Sequence, residues 1–384
     1  MFYIQTSLIV LLLILLGFSN PKIQMSVSRG SLTVDVIIYV GWVLFSFFVN
    51  LIFSLDSVEF QSRRIISLGI ALLLMSGFFI GRTLPSVELN TKSLVRGIFF
   101  TYFLVILYIA IVFLNQTSLD LYIVRRVIGQ RLPFVIAFVS SLAAVYFFLG
   151  NPKKIFFFLI MTSGVMAVVF SLTRAAYIQI FISFVILFIR EIRKYFFRGV
   201  LLTALVLSIG FVFLRAFGEY SSVKQITSRV ELLFDIKAQS EQDESGSFRL
   251  EMWRFLTHKL LDDPVRLAIG YGQLGPTQVA KDFVSSDGIS GNNAHSQYLD
   301  IIIREGLVGL FIFLWLCYKM IALGFSNKIQ NDEKLFMHAN SIGLAGVMFY
   351  GFFHETFRYP LFGFYFWLYM GIIDRITQNR KYDT

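Results

Sequence analysis

Residues 7–18 read SLIVLLLILLGF, twelve positions with one hydroxyl, one glycine and otherwise nothing but large apolar side chains. A strand of an outer-membrane barrel alternates polar and apolar residues to face lumen and lipid in turn. This run does not alternate, so it reads as a helix that is apolar all round. Working outward, runs of about 17–23 apolar residues recur along the chain, long enough to cross a hydrocarbon core of about 30 Å. The composition agrees: 56% of the 384 residues are hydrophobic, 17% aromatic and only 15% charged. A soluble domain carries about 25% charged residues. A soluble enzyme or nucleic-acid binder is thereby excluded. The expected fold is all-α, a polytopic membrane protein.

About eleven spans are expected, at 3–18, 32–54, 65–81, 97–114, 132–149, 155–171, 175–190, 198–214, 303–322, 335–352 and 359–374. The first has no basic residue ahead of it and no small-residue cleavage site, so it reads as a retained helix rather than a signal peptide. Three regions follow: N-terminal membrane helices over 1–214, a large polar segment over 215–295, and C-terminal membrane helices over 296–384. Long connections without a core of their own are usually functional. The single cysteine, Cys317, lies in an apolar run, which rules out an internal disulfide.

Lysine and arginine in short loops set orientation. The cluster REIRKYFFR at 190–198 is placed on the cytoplasmic side, and NPKK (151–154), NKIQNDEK (327–334) and the C-terminal tail then join it. The net charge of +10 reflects these loops rather than a nucleic-acid partner. The long segment falls outside. Two loops disobey, QSRR at 61–64 and DLYIVRRVIGQR at 120–131, so either a span is miscounted or Arg125, Arg126 and Arg131 face outward to meet an anion. Arg174, in VVFSLTRAAYIQIF between two closely spaced spans, poses the same choice between a snorkelling residue and an anion contact.

Within the long segment, SGSFRLEMWRFLTHKLLDDP reads as an amphipathic helix, with Phe248, Met252, Phe255 and Leu256 on one face, Ser247 as a cap and Asp263-Pro264 as its stop. It is expected to anchor in the outer membrane interface. Arg249 and Trp253 are neighbours on it, Arg254 follows, and His258 falls on its polar face. AIGYGQLGP is a glycine-rich turn without the spacing of a phosphate-binding loop. Then comes NNAHSQYLDIIIREGLVGL (292–310): His295 where a loop enters the membrane, Glu305, and Gly306 and Gly309, which permit close helix contact. YGFFHETFRYP, between the last two spans, puts His354, Glu355 and Arg358 on the same side, either lining a cleft or as ordinary boundary residues. His338 begins near the inner face, away from this side. The acidic groups at 54–59 and 261–264 look like a solvated loop and a helix stop, so no metal and no cofactor is expected.

The pieces SLTRAAY (171–177), GSFRLEMWRF (246–255) and NNAHSQYLDIIIREGLVGL, whose His-Ser-x9-Gly-x-x-Gly spacing is the most specific, resemble the O-antigen ligase and polymerase superfamily of bacterial envelope glycosyltransferases. The layout agrees, with a large outer-face loop before the last helices. Family members carry 10–14 spans, often with one more N-terminal helix. The resemblance implies transfer of a glycan from undecaprenyl diphosphate to a sugar hydroxyl at the outer face of the inner membrane. The acceptor is a lipid-linked repeat for a polymerase, or lipid A-core for a ligase, and a chain-length regulator is a conceivable partner. Polymerases are the more numerous kind in polysaccharide gene clusters, which tips the expectation toward a polymerase. In that chemistry an imidazole can take the acceptor hydroxyl's proton near neutral pH, so His295 is expected as general base or acceptor-orienting group, and the resemblance gives Arg174 and Arg249 the donor diphosphate. Arg125, Arg126, Arg254, His354 and Arg358 are further candidates, and a metal-independent inverting displacement is expected. A transporter is the rival from another class. It would show ionisable residues at mid-membrane and repeated halves with broken helices, and the spans here are nearly free of charge.

Overall fold

The computed structural model describes residues 32–53, 58–83, pieces of 95–107, 132–150, 154–171, 173–188, 244–273, 275–285, 294–325 and 331–379. The expected spans at 3–18 and 198–214, most of 97–114, and Arg125, Arg126 and Arg131 lie outside the described residues. Eleven helices appear among them. They are α1 (Leu32–Phe53), α2 (Val58–Thr83), α3 (Leu132–Leu149), α4 (Lys154–Phe170), α5 (Arg174–Leu187), α6 (Glu244–Leu261), α7 (Pro264–Ile269), α8 (Gly275–Val279), α9 (Gln297–Gly324), α10 (Asn331–Tyr350) and α11 (Pro360–Asn379). Eight of them match expected spans; α6, α7 and α8 belong to the polar segment. Four, Leu32–Ile52, Ser62–Thr83, Leu132–Leu149 and Gln297–Gly324, are long and apolar enough to cross a membrane. The fold is all-helical and the chain is a multi-pass membrane protein.

Two compact units interleave along the chain. One holds α1, α2, α6 to α9 and α11; the other holds α3, α4, α5 and α10.

In the first unit, α2 and α11 pack along their length. The sequence reason is GFFIG at 77–81: a Cβ on Gly77 would stand 2.7 Å from the Phe364 carbonyl oxygen, and one on Gly81 2.2 Å from that of Leu368. This is small-residue packing of the kind lipid-embedded helices use, where apolar burial gives little drive. At one end Asp374 caps α1, accepting from Leu32 N and Thr33 Oγ1 at 2.7 Å each, while Arg82 Nε lies 3.4 Å from the same carboxylate. Lys319 pairs with Asp35 at this end too. At the other end Arg64, buried, donates to the Asn50 carbonyl in the last turn of α1 at 2.9 Å. Residues 61–64, expected as a loop, thus lie within α2, and Arg64 serves as a cap on the C-terminal end of α1. The polar segment sits at this same end: Ser67 Oγ donates to Gln273 O (3.0 Å), and Asn50 Nδ2 to Gly270 O (3.2 Å).

In the second unit α3 is the central helix, buried from Pro133 to Tyr146 over all but one position. A helix apolar all round belongs in an interior, and its Ala137, Ser140, Ala143 and Ala144 let α4, α5 and α10 approach. Gln179 of α5 donates to the Phe134 carbonyl (3.0 Å) and Ser183 to that of Ile342 (3.3 Å). His338 is buried in α10 with its ring 5.5 Å from Phe325. It is a packed side chain.

Candidate functional site

The polar segment carries a hydrophobic cluster of its own. Met252, Leu256 and Leu260 of α6 are buried against Val279, Ala280, Phe283, Ala294 and Ile303, and Phe283 sits between Phe248 (5.6 Å) and Phe255 (5.4 Å). The amphipathic face expected on the membrane interface is covered by protein instead. Each such side chain contributes roughly 1.5–3 kcal/mol on burial, enough to give the segment a defined shape. α6 starts at Glu244, three residues before the expected cap at Ser247. It stops where expected, and Asp263 caps α7 by accepting from Arg266 N (3.0 Å), with Pro264 in the first turn.

Gly306 stands where the long apolar part of α9 begins, after a short helix that precedes it. It interrupts α9 with φ 73° and ψ −177°. The carbonyls that the break frees are all taken. Ile303 O accepts from Tyr271 N (2.6 Å), Arg304 O from Gly272 N (3.0 Å) and Ser46 Oγ (3.0 Å), and Glu305 O from Trp42 Nε1 (2.7 Å). The glycine-rich turn is thus the partner of the break. Gly270 has φ 81°, and a Cβ there would lie 2.3 Å from the Arg304 carbonyl; one on Gly306 would lie 2.0 Å from the Ala268 oxygen. Gly309 gives room to Glu305 and Trp42, the added Cβ falling 2.4 Å from the Glu305 side chain. Gly306 serves backbone-to-backbone contact with the glycine-rich turn, and Gly309 lets Trp42 of α1 approach α9.

The break leaves 297–305 as a short helix whose leading edge carries His295. His295 has φ 50°, the one positive φ outside glycine among the described residues. Such a conformation costs energy and persists only where surroundings enforce it. Here they do. Trp253 Nε1 of α6 donates to Ala294 O at 2.6 Å, and Ser296 O accepts from Asp300 N at 2.9 Å. Gln297, buried, donates its N–H to Gly351 O (2.8 Å) and accepts from Phe357 N with Oε1 (3.0 Å). The turn so held, 351–359, carries His354.

Arg249, His295 and His354 come together electrostatically. Burial lowers the His295 pKa below its ordinary value, and the Arg249 charge lowers it further. Burial pushes His354 down to about 3, with Arg249 and then His295 adding to the effect. Both imidazoles are therefore neutral near pH 7, beside a permanent cation. A neutral imidazole can accept a proton, and a guanidinium offers a planar fork of donors to phosphate oxygens.

The other candidates are placed differently. Arg254 and His258 are exposed on α6. Arg174 is the first residue of α5, in the second unit. Arg358 lies 3.5 Å from Asp300 and 3.4 Å from Ser67 Oγ. Glu305 accepts from Tyr39 Oη (2.7 Å) and Gln273 Nε2 (3.5 Å). The sequence reading passed over Asp300, Arg304, Gln297 and Tyr39. Asp300 and Arg304 stand four apart, joined at 2.8 Å, and an i,i+4 charge pair inside YLDIIIREGL was the available signal.

No match is found among curated proteins. Residues 155–314 match a family model described as O-antigen ligase, a stretch that includes Arg174, Arg249, His295, Glu305, Gly306 and Gly309. That stretch is therefore similar to the O-antigen ligase family, in agreement with the motifs at 171–177, 246–255 and 292–310.

Proposed function

We propose that the protein transfers a glycan from undecaprenyl diphosphate to a sugar hydroxyl at the outer face of the bacterial inner membrane. His295 is the general base. The acceptor hydroxyl attacks the anomeric carbon as the bond to the diphosphate oxygen breaks, and its proton passes to the imidazole. One displacement inverts the anomeric centre. Charge grows on the leaving diphosphate; Arg249 is the cation beside the base, and the motif resemblance gives Arg174 a diphosphate role too. Fixed donors where charge develops contribute several kcal/mol of barrier lowering, so the scheme needs no metal.

The observation that carries this reading is the His295 backbone, held at φ 50° by Trp253 and Gln297 with its ring neutral beside Arg249. Arg174 adds support by opening a helix, where the helix dipole favours an anion. Polymerisation of lipid-linked repeat units, with a chain-length regulator as a candidate partner, is our first reading of the acceptor. Ligation to lipid A-core is the second, favoured by the description of the matching family.

Deleting the gene and running surface glycans on gels tests both. Single repeat units on core indicate a polymerase; bare core with accumulated carrier-linked chains indicates a ligase. An unchanged glycan profile removes the glycosyltransferase reading.

A further inference from the structure

Inside the first unit, a cleft of about 70 Å3 opens between α1, α2, α9 and α11. At roughly 15 Å3 per water it has room for about five, which suits one head group and not a sugar chain. Its two ends differ. Ser67, Gln297, Asp300, Arg304 and Arg358 line one; Leu74, Met75, Phe313 and Trp367 line the other. On α2 the step from Ser67 to Met75 is eight residues, about 12 Å of helix at 1.5 Å each.

The polar end holds an unused donor. Arg304 is buried, and its Nη1 finds no hydrogen-bond partner among the described residues. A buried donor left unmade costs about 1–3 kcal/mol or more. Its Nε is spent on Asp300 Oδ1 at 2.8 Å. Arg358, about a third exposed, reaches the same oxygen only at 3.5 Å and Ser67 at 3.4 Å. Asp300 Oδ1 is thus shared by two guanidiniums, and the Glu355 charge acts on Arg304 as well, yet Arg304 Nη1 stays without a hydrogen-bond partner among the described residues. Glu305 also lines the cleft, but Tyr39 and Gln273 occupy its oxygens.

We propose that this cleft seats the head of an anionic amphiphile. A phosphate or carboxylate lies between Arg304 and Arg358, accepting from Arg304 Nη1, and the first part of a hydrocarbon tail lies on Leu74, Met75, Phe313 and Trp367. Asp300 aims the two arginines. Arg249, His295 and His354 are not among the residues that line it, and its test does not depend on glycosyl transfer.

The test uses the full chain in phosphatidylcholine nanodiscs and native mass spectrometry, with dodecyl phosphate as the probe. One equivalent should bind. Arg304→Gln and Arg358→Gln should each weaken binding about tenfold or more, the worth of a charge-assisted hydrogen bond. Inorganic phosphate, lacking the tail, and dodecyl maltoside, lacking the charge, should compete poorly. Polyprenyl monophosphate and phosphatidylglycerol identify the natural source, and arginine-dependent binding of either supports the site. Unchanged affinity in both variants overturns the proposal, as does inorganic phosphate binding as tightly as dodecyl phosphate. If Arg304→Gln does not fold, the partly exposed Arg358→Gln decides alone.

Discussion

Replacing Gly306 by alanine should be among the most damaging single-methyl changes in the protein. Two costs combine. Its φ of 73° lies in the left-handed region, which costs a side-chain-bearing residue about 1–2 kcal/mol. The new Cβ would stand 2.0 Å from the Ala268 oxygen and 2.3 Å from its carbonyl carbon, so backbone must shift, and overpacking of this kind costs about 1–3 kcal/mol. Together they amount to about 2–5 kcal/mol, concentrated on the junction between the glycine-rich turn and the broken helix. Gly270→Ala should behave alike, with φ 81° and a contact of 2.3 Å to Arg304. Gly41→Ala is the control, since nothing lies within 4 Å of its added Cβ. The assay is thermal denaturation in detergent followed by size-exclusion fluorescence, with glycan elongation in cells beside it. Gly306→Ala should melt several degrees lower and lose activity, because the displaced turn is tied to the half-helix that His295 leads. A melting temperature and activity equal to those of Gly41→Ala would refute the lock described above.

Arg174→Lys and Arg249→Lys keep charge but lose the planar fork, and both should lose most transfer activity while inserting normally; near-full activity in either removes the bidentate role from that residue. Because burial and Arg249 hold the His295 pKa below the free value of 6.5, activity should persist through pH 6.5 and fall only at lower pH, in kcat/KM measured against pH. Arg249→Gln should move that acid limb upward and Arg249→Lys should not. His354, at about 3 when folded and 6.5 when free, favours the neutral form on folding; its stability contribution is complete above pH 6.5 and lost as pH falls toward 3, so His354→Gln should flatten melting temperature against pH in that window. In a Cys317→Ala background, Ser240→Cys should react with an impermeant thiol reagent in intact cells and Ser326→Cys should not.

What the sequence makes legible follows from which physics is local. Long apolar runs dictate membrane helices wherever they fall, and all eight expected spans that lie among the described residues are helices there. The Asp263-Pro264 stop and the spacing of Met252 and Leu256 were readable because capping and helical period act within a few residues. The break at Gly306 was not readable. REGLVG is compatible with a continuous helix, and only the Gly270 backbone, 36 positions away in the sequence, makes a left-handed residue there useful. The same holds for α6. Its apolar face was visible, but membrane and protein cover such a face equally well, and Phe283 and Ala294 settle it only in three dimensions. The close α2–α11 packing had a local signal, the Gly77–Gly81 pair, which was overshadowed by the better-placed glycines at 306 and 309.

A histidine in left-handed backbone invites two explanations, and one substitution separates them. Trp253 holds Ala294 before His295, and Gln297, two residues after it, is tied to the 351–359 turn. The loop needs a positive φ at that point whatever side chain it carries, and histidine shares with asparagine and aspartate a tolerance for that region. If the position were purely conformational, asparagine would serve as well and glycine better. If the imidazole is the base, neither will serve, since an amide does not take up a proton near neutral pH. His295→Asn therefore keeps the turn and removes the chemistry. It should melt at the wild-type temperature and lose about 10²–10⁴ in rate, the usual worth of a general base. His258→Ala, exposed on α6, is the neutral control; buried His338 is not suited to that use. A His295→Asn protein that elongates or transfers glycan at the wild-type rate would make this histidine a turn residue and nothing more.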